Sequence, residues 1–351
     1  MKTKAAILYE LNKPLVIEDV EIPVLKRGQV LVKILYSGVC RAQYNEMIGL
    51  KGPDKFLPHL LGHEASAIIE DIGEGITKVK KGDYVALSWI KGDGLDGINS
   101  QYKCGSRIIN AGGVTTFSNY SVVSENRVTK ISKRINPEAA AIIGCAVATG
   151  CGIVENTLKA KKNSSIAVFG TGGVGLSVVM GARRRGCHPI IAIDLSQDKL
   201  KFAEQCGATH TVDASRIDVW QLLQKIVPNG VDYTVDASGN KTAMEMAFDL
   251  AREAKGICVI AGNLSKDEKI AIHPFELIKG KKLYGSWGGE TNPSYDIPKY
   301  VDAFDKGELP IGDLITHRLT LDQINTAFDI LKSGDAGRIV LKMDSVNDST
   351  T

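Results

Sequence analysis

The spacing of apolar residues changes rhythm twice along this chain. Up to about residue 124 it shows short runs rich in β-branched residues, at 30–35 and 67–72, and the turn Lys81-Gly82-Asp83 leads into another run at 84–87. Such runs bounded by turn residues predict strands. Residues 91–113 are Gly-rich and lack periodicity, which reads as a functional loop or an oligomer contact. From residue 165 short apolar runs at 166–169, 190–193, 231–235 and 257–260 alternate with amphipathic segments such as 174–185 and 197–205. That alternation predicts βαβ units and a parallel sheet. After about residue 286 it stops, and two amphipathic helices, 298–306 and 321–332, lead to a last strand at 338–341.

A chain of 351 residues exceeds one ordinary core, so two domains are expected. Apolar content of 44% with 24% charged residues is that of a soluble globular protein. The formal net charge of +3 gives no electrostatic reason for a nucleic-acid or membrane partner. No run of 18 apolar residues occurs, and the N-terminal apolar run is too short for a secretory signal. The seven cysteines (Cys40, Cys104, Cys145, Cys151, Cys187, Cys206 and Cys258) contain no Cys-x-x-Cys pair. That pattern points to free or metal-bound thiols in a reducing cytoplasm.

Candidate chemistry is concentrated in two places. Cys40 in Gly38-Val39-Cys40-Arg41, His63 in Gly62-His63-Glu64 and Cys145 in Gly144-Cys145-Ala146 offer two thiolates and an imidazole, a donor set suited to Zn²⁺ with a fourth position open. Then strand 166–169 runs directly into Gly170-Thr171-Gly172-Gly173-Val174-Gly175. Gly170 suits the tight turn, Gly172 a backbone approach to pyrophosphate and Gly175 close helix–strand packing, while a helix starting near Gly173 offers free N–H groups to phosphates. Asp194, at the end of the second strand of this unit, is placed to accept from the adenosine ribose hydroxyls and to repel a 2′-phosphate. With Leu195 and Ser196 following in place of an arginine, NAD is expected over NADP.

On these motifs the chain resembles the zinc-dependent medium-chain dehydrogenases, in their alcohol dehydrogenase branch, over nearly its whole length. The resemblance implies an α/β fold: a GroES-like β-barrel catalytic domain from residues 1–146 and 289–351, and a Rossmann doubly wound parallel-sheet domain, residues 147–288, for NAD. It implies Cys40, His63 and Cys145 as catalytic-zinc ligands and Glu64 as a carboxylate that ligates zinc transiently. It further implies Arg41 and Arg338 at the coenzyme pyrophosphate, Thr149 beside the nicotinamide and Lys199 beside the adenosine ribose. The implied activity is hydride transfer between an alcohol, or an aldehyde or ketone, and NAD(H), by a homodimer or homotetramer.

The chain departs from that family at several positions. Ala42 stands where Ser or Thr passes on the substrate proton, and Asn45 where some relatives carry a relay histidine. Ordered water, Tyr44 or a substrate hydroxyl would have to replace the relay. Gln43 stands where an aspartate supports the zinc histidine, and its carbonyl is expected to accept from His63. Residues 91–113 retain only Cys104 of a four-cysteine structural lobe, so one catalytic zinc per subunit is expected. Trp89 falls where relatives place an aromatic pocket wall, although a core position is equally open to it. Gln43, Tyr44 and Asn45 keep open a polyol, sugar or sugar-derivative substrate. Ala42 and Gln43 keep open a coenzyme-binding protein with little catalysis.

Overall fold

The computed structural model describes residues 1–334 and 336–344, arranged in two compact units. The first comprises Met1–Cys145, Asn292–Gly307 and the chain from Ile311 onward, and the second comprises Ala146–Thr291 with Glu308–Pro310.

In the first unit, strands Lys2–Leu8, Val16–Glu21, Gln101–Cys104, Arg107–Asn110 and His59–Leu60 close into a small barrel. Beside it runs a sheet in the order Val128–Lys130, Tyr84–Leu87, Ala65–Ile72, Gln29–Val39, Arg338–Lys342 and Ile315–Thr320, with Tyr120–Ser124 also paired to Gln29–Val39. Strand Gln29–Val39 outruns the expected 30–35 because its far end pairs with Arg338–Lys342, from the other end of the chain. Its inward residues Val30, Val32 and Ile34 enter one core with Leu87, Phe117, Phe328 and Leu341.

The stretch 91–113 corrects the expectation of a wholly irregular loop. Strands Gln101–Cys104 and Arg107–Asn110 form a hairpin inside it. Tyr102 is fully buried there, and its hydroxyl accepts the Val122 N–H at 2.7 Å, which fastens the hairpin to the barrel. The first part of the stretch is held by a carboxylate. Buried Glu125 accepts the N–H groups of Thr77 and Lys78 at Oε1 and of Leu95 at Oε2, each at 2.8 Å. Burial pushes the Glu125 carboxyl up, but those three N–H donors outweigh it and hold the group below the usual glutamate range.

The helix expected at 298–306 begins earlier, as Pro293–Asp305. Asn292 caps it by accepting the Ser294 N–H at 3.0 Å, and Pro293 takes the first helical position, where a missing N–H costs nothing. Pro298, which suggested a start, lies inside the helix instead.

The second unit is a six-stranded, all-parallel sheet in the order His210–Asp213, Ile190–Asp194, Ile166–Phe169, Tyr233–Asp236, Ile257–Ile260 and Lys282–Gly285. In chain order that is 3-2-1-4-5-6, the arrangement of dinucleotide-binding sheets. Helices Gly173–Arg184, Gln197–Cys206, Val219–Ile226 and Lys241–Leu250 connect the strands. One core gathers Phe169, Ile191, Val212, Leu223 and Phe248. Among the described residues no helix is long and apolar enough to cross a membrane.

Candidate functional site

Cys40, His63 and Cys145 come from three separate elements of the first unit. Cys40 ends the long strand Gln29–Val39 in extended backbone and caps helix Arg41–Met47. His63 follows the short strand His59–Leu60. Cys145 lies in a π-helical segment, Ile143–Val147, whose Gly144 carbonyl accepts the Ser88 hydroxyl at 2.6 Å. π-Turns widen the helical backbone and are frequent at functional sites.

The three donor atoms lie within 4.8 Å of one another, with His63 Nε2 3.3 Å from Cys145 Sγ and the two sulfurs 4.0 Å apart. A tetrahedral zinc with Zn–S of about 2.3 Å and Zn–N of about 2.0 Å separates such ligands by roughly 3.5–3.8 Å. The donor set and its spacing fit that ion. The Cys145 thiol and the His63 imidazole hold Cys40 well below the usual thiol range, against the opposing effect of burial. Cys40 in turn, together with burial, pushes the Cys145 thiol up.

Neighbouring residues take roles that spacing alone did not show. The Trp89 side chain hydrogen-bonds Cys145, and an indole can only donate, so its N–H points at the sulfur. Gln43 is buried, and its Oε1 accepts the Cys40 backbone N–H at 2.8 Å. This corrects the expectation that its carbonyl serves His63. Gln43 positions the first thiol instead, because a side chain at the third helical position reaches back to the cap. Tyr44 packs edge-on against Phe328 with ring centres 6.1 Å apart, and the Arg41 guanidinium lies 5.5 Å from its ring centre.

Glu64 is fully buried and paired with Arg338, itself 4% exposed. Glu64 Oε2 and Arg338 Nε have no partner among the described residues. Arg338 therefore meets Glu64 while keeping a donor in reserve.

In the second unit, strand Ile166–Phe169 enters the glycine loop with Gly170 at φ +87°. A Cβ on Gly175 would stand 1.8 Å from the Gly170 carbonyl oxygen, so only glycine lets helix Gly173–Arg184 start there. Gly173 and Val174 form its first turn. Asp194 holds the loop: Oδ2 accepts from the Thr171 N–H and hydroxyl at 2.7 and 2.9 Å, and Oδ1 from the Leu195 and Ser196 N–H groups at 2.8 and 3.1 Å. Thr171 was missed because its role depends on the neighbouring strand. Lys199 lies on helix Gln197–Cys206, and Thr149 is buried in Ala148–Gly152.

Residues 26–133 match the family described as alcohol dehydrogenase GroES-like domain, and residues 173–306 the zinc-binding dehydrogenase family. An S-(hydroxymethyl)glutathione dehydrogenase of Synechocystis is 34% identical, over 97% of this chain and 100% of the relative. Two crystal structures superpose with a TM-score of 0.88 at 25% identity, over 98% of this chain and 100% of theirs. They are benzyl alcohol dehydrogenase from Acinetobacter calcoaceticus and an alcohol dehydrogenase zinc-binding domain protein from Burkholderia ambifaria.

Proposed function

The chain belongs to the zinc-dependent alcohol dehydrogenase family, and on that premise we propose that Cys40, His63 and Cys145 are the ligands of its catalytic zinc and that NAD is its coenzyme. The first unit is then catalytic and the second binds coenzyme. The observation that carries the reading is the convergence of two sulfurs and one imidazole nitrogen within 4.8 Å, three ligands with which a zinc ion would keep a further position for substrate. Held by these residues, zinc would supply Lewis-acid chemistry, acidifying an alcohol and stabilising negative charge on a carbonyl oxygen.

The chain's own residues prepare that chemistry. The Trp89 N–H draws charge from the Cys145 sulfur, which leaves more positive character at the metal position. Arg338 neutralises the Glu64 carboxylate next to His63. Gly172 has open space around it, so backbone N–H groups there can approach a pyrophosphate. The net reaction takes an alcohol and NAD⁺ to a carbonyl compound, NADH and a proton. Asp194 supports NAD over NADP, since a buried-edge carboxylate repels a 2′-phosphate.

A polyol or sugar is the second reading: Gln43 Oε1 is engaged with the Cys40 N–H, while its buried Nε2 has no hydrogen-bond partner among the described residues and is a donor for a substrate hydroxyl. The S-(hydroxymethyl)glutathione dehydrogenases add a thiol–formaldehyde adduct to the candidate substrates. We place the protein in the reducing cytoplasm, which suits seven cysteines none of which is in a disulfide among the described residues. A homodimer or homotetramer is supported by the open edge of strand Lys282–Gly285, where Tyr284, Trp287, Phe275 and Ile278 are exposed.

The test is NADH formation by metal-assayed protein across aliphatic and aromatic alcohols, polyols and S-(hydroxymethyl)glutathione. Turnover lost on chelation and restored by zinc is expected. Zinc-independent turnover, or a preference for NADP, overturns the corresponding part.

A further inference from the structure

Trp89 reaches Cys145 from a turn that is fixed on both sides. Ser88 donates its N–H to the Arg127 carbonyl at 3.0 Å and its hydroxyl to the Gly144 carbonyl at 2.6 Å. The same hydroxyl oxygen accepts the Ile90 N–H at 3.0 Å. A Cβ on Gly144 would stand 2.0 Å from the Leu87 carbonyl oxygen, so the π-helical segment that carries Cys145 lies directly on this turn. The peptide between Trp89 and Ile90 is thus held at its N–H by Ser88. It is held at its carbonyl by Arg127, whose Nη1 donates to the Trp89 oxygen. Because a peptide is planar, these two contacts fix one plane, and with it the backbone angle that aims the indole.

We propose that Arg127 is a positioning residue for the reaction, acting through Trp89 to keep the indole N–H on the Cys145 sulfur. The role rests on the reading of Cys145 as a zinc ligand. Arg127 ends the short helical turn Glu125–Arg127 and is half-buried. Burial pulls its guanidinium below the usual arginine range, and Asp96 opposes that only through space. Its Nε is buried with no hydrogen-bond partner among the described residues. A half-buried cation with one nitrogen unanswered costs stability that a neutral side chain would save. Fastening the 91–113 stretch does not require that cation. Gly92 already donates its N–H to the Asn126 carbonyl at 2.8 Å, and Glu125 accepts the Leu95 N–H at 2.8 Å. What a long, charged donor adds at this position is a strong hydrogen bond to the Trp89 carbonyl.

The test compares Arg127→Met and Arg127→Lys with Trp89→Phe in the full chain. Because Arg127 acts through the indole, Arg127→Met should lower kcat by about threefold to tenfold with bound zinc retained. Added to Trp89→Phe, it should lower kcat no further, within about twofold. With Co²⁺ in place of zinc, the sulfur-to-metal charge-transfer band should move to longer wavelength in Arg127→Met and Trp89→Phe alike. A sulfur that has lost its N–H donor gives up an electron more readily. Arg127→Lys keeps the charge and one donor and should shift the same readouts less, which guards against a methionine variant that does not fold. The chain has three tryptophans, so Trp220→Phe with Trp287→Phe leaves Trp89 as the emitting indole. In that metal-free background Arg127→Met should raise the emission, as the indole leaves the quenching thiol. Losses of kcat that add in full, or a cobalt band and an indole emission unchanged in both Arg127 variants, overturn the proposal. An arginine that merely stabilised the fold would leave both spectra in place. The emission needs no metal, so failure of the zinc reading and failure of the positioning role are told apart.

Discussion

Glu64 and Arg338 form a buried ion pair although 274 positions separate them in the chain. The pair joins the residue after His63 to the strand Arg338–Lys342, which itself pairs with the end of the strand that leads to Cys40. Removing one partner strands a charge. Arg338→Met is expected to destabilise the fold by about 3–5 kcal/mol, because the Glu64 carboxylate is left buried and unpaired. Glu64→Gln combined with Arg338→Met should recover most of that loss. Denaturant unfolding of both variants checks it, and equal losses in the single and double variants would refute the coupling.

Trp89 offers a test of the hydrogen bond to sulfur. Trp89→Phe keeps an aromatic ring and removes only the N–H that reaches Cys145. Hydrogen bonds to charged groups contribute about 1.5–3 kcal/mol, so a roughly tenfold fall in kcat is expected if half of that bond strength is specific to the transition state. Bound zinc should be retained. Metal content and steady-state kinetics together separate this from loss of the metal.

Ala42 places no hydroxyl at the second position of helix Arg41–Met47. Ala42→Ser is expected to raise turnover, by up to about 10²-fold if proton transfer limits the native protein, and to shift the pH profile. Unchanged turnover and pH dependence would mean that proton transfer takes another route.

Asp194 holds the Thr171 backbone and hydroxyl, and the proposed NAD site gives it a second task at the adenosine ribose. Asp194→Ala should therefore weaken NAD binding by roughly 10–100-fold, the worth of one or two hydrogen bonds to a charged acceptor. Asp194→Ala with Leu195→Arg should gain NADP use. Coenzyme titration by fluorescence checks both, and unaltered NAD affinity in the alanine variant would remove Asp194 from the site.

Glu125 makes stability depend on acid. Its carboxyl is held below the unfolded value of 4.5, so the folded protein favours the ionised form. The contribution is fully present above that value and is lost as pH falls through the lower folded one. Glu125→Gln should flatten the loss of stability below about pH 4.5, while lowering stability at neutral pH by about 1–3 kcal/mol as one acceptor is removed from three N–H groups. Thermal unfolding between pH 3 and 7 reads both effects.

What the sequence by itself determined was whatever depends on local rhythm. The parallel-sheet half was legible in four of its six strands, which are short apolar runs, whereas His210–Asp213 and Lys282–Gly285 carry no such run. Strands Ile166–Phe169 and Ile257–Ile260 fall where they were expected. The glycine loop was legible for the same reason, since Gly170, Gly172 and Gly175 act on their immediate backbone. Cys40, His63 and Cys145 could be named as a donor set from residue type and family spacing.

Tertiary structure alone decided how those residues are supported. The hairpin inside 91–113 exists because Tyr102 finds the Val122 N–H across the barrel, and no periodicity in the segment announces that. Gln43 turned from His63 to the Cys40 backbone because a helix cap offered the nearer donor. Trp89 met Cys145 and Arg127, and Glu64 met Arg338, through folding over long separations or through loop paths. Local propensity acts over a few residues, whereas the partners of a buried charge are chosen by which distant segment must neutralise it.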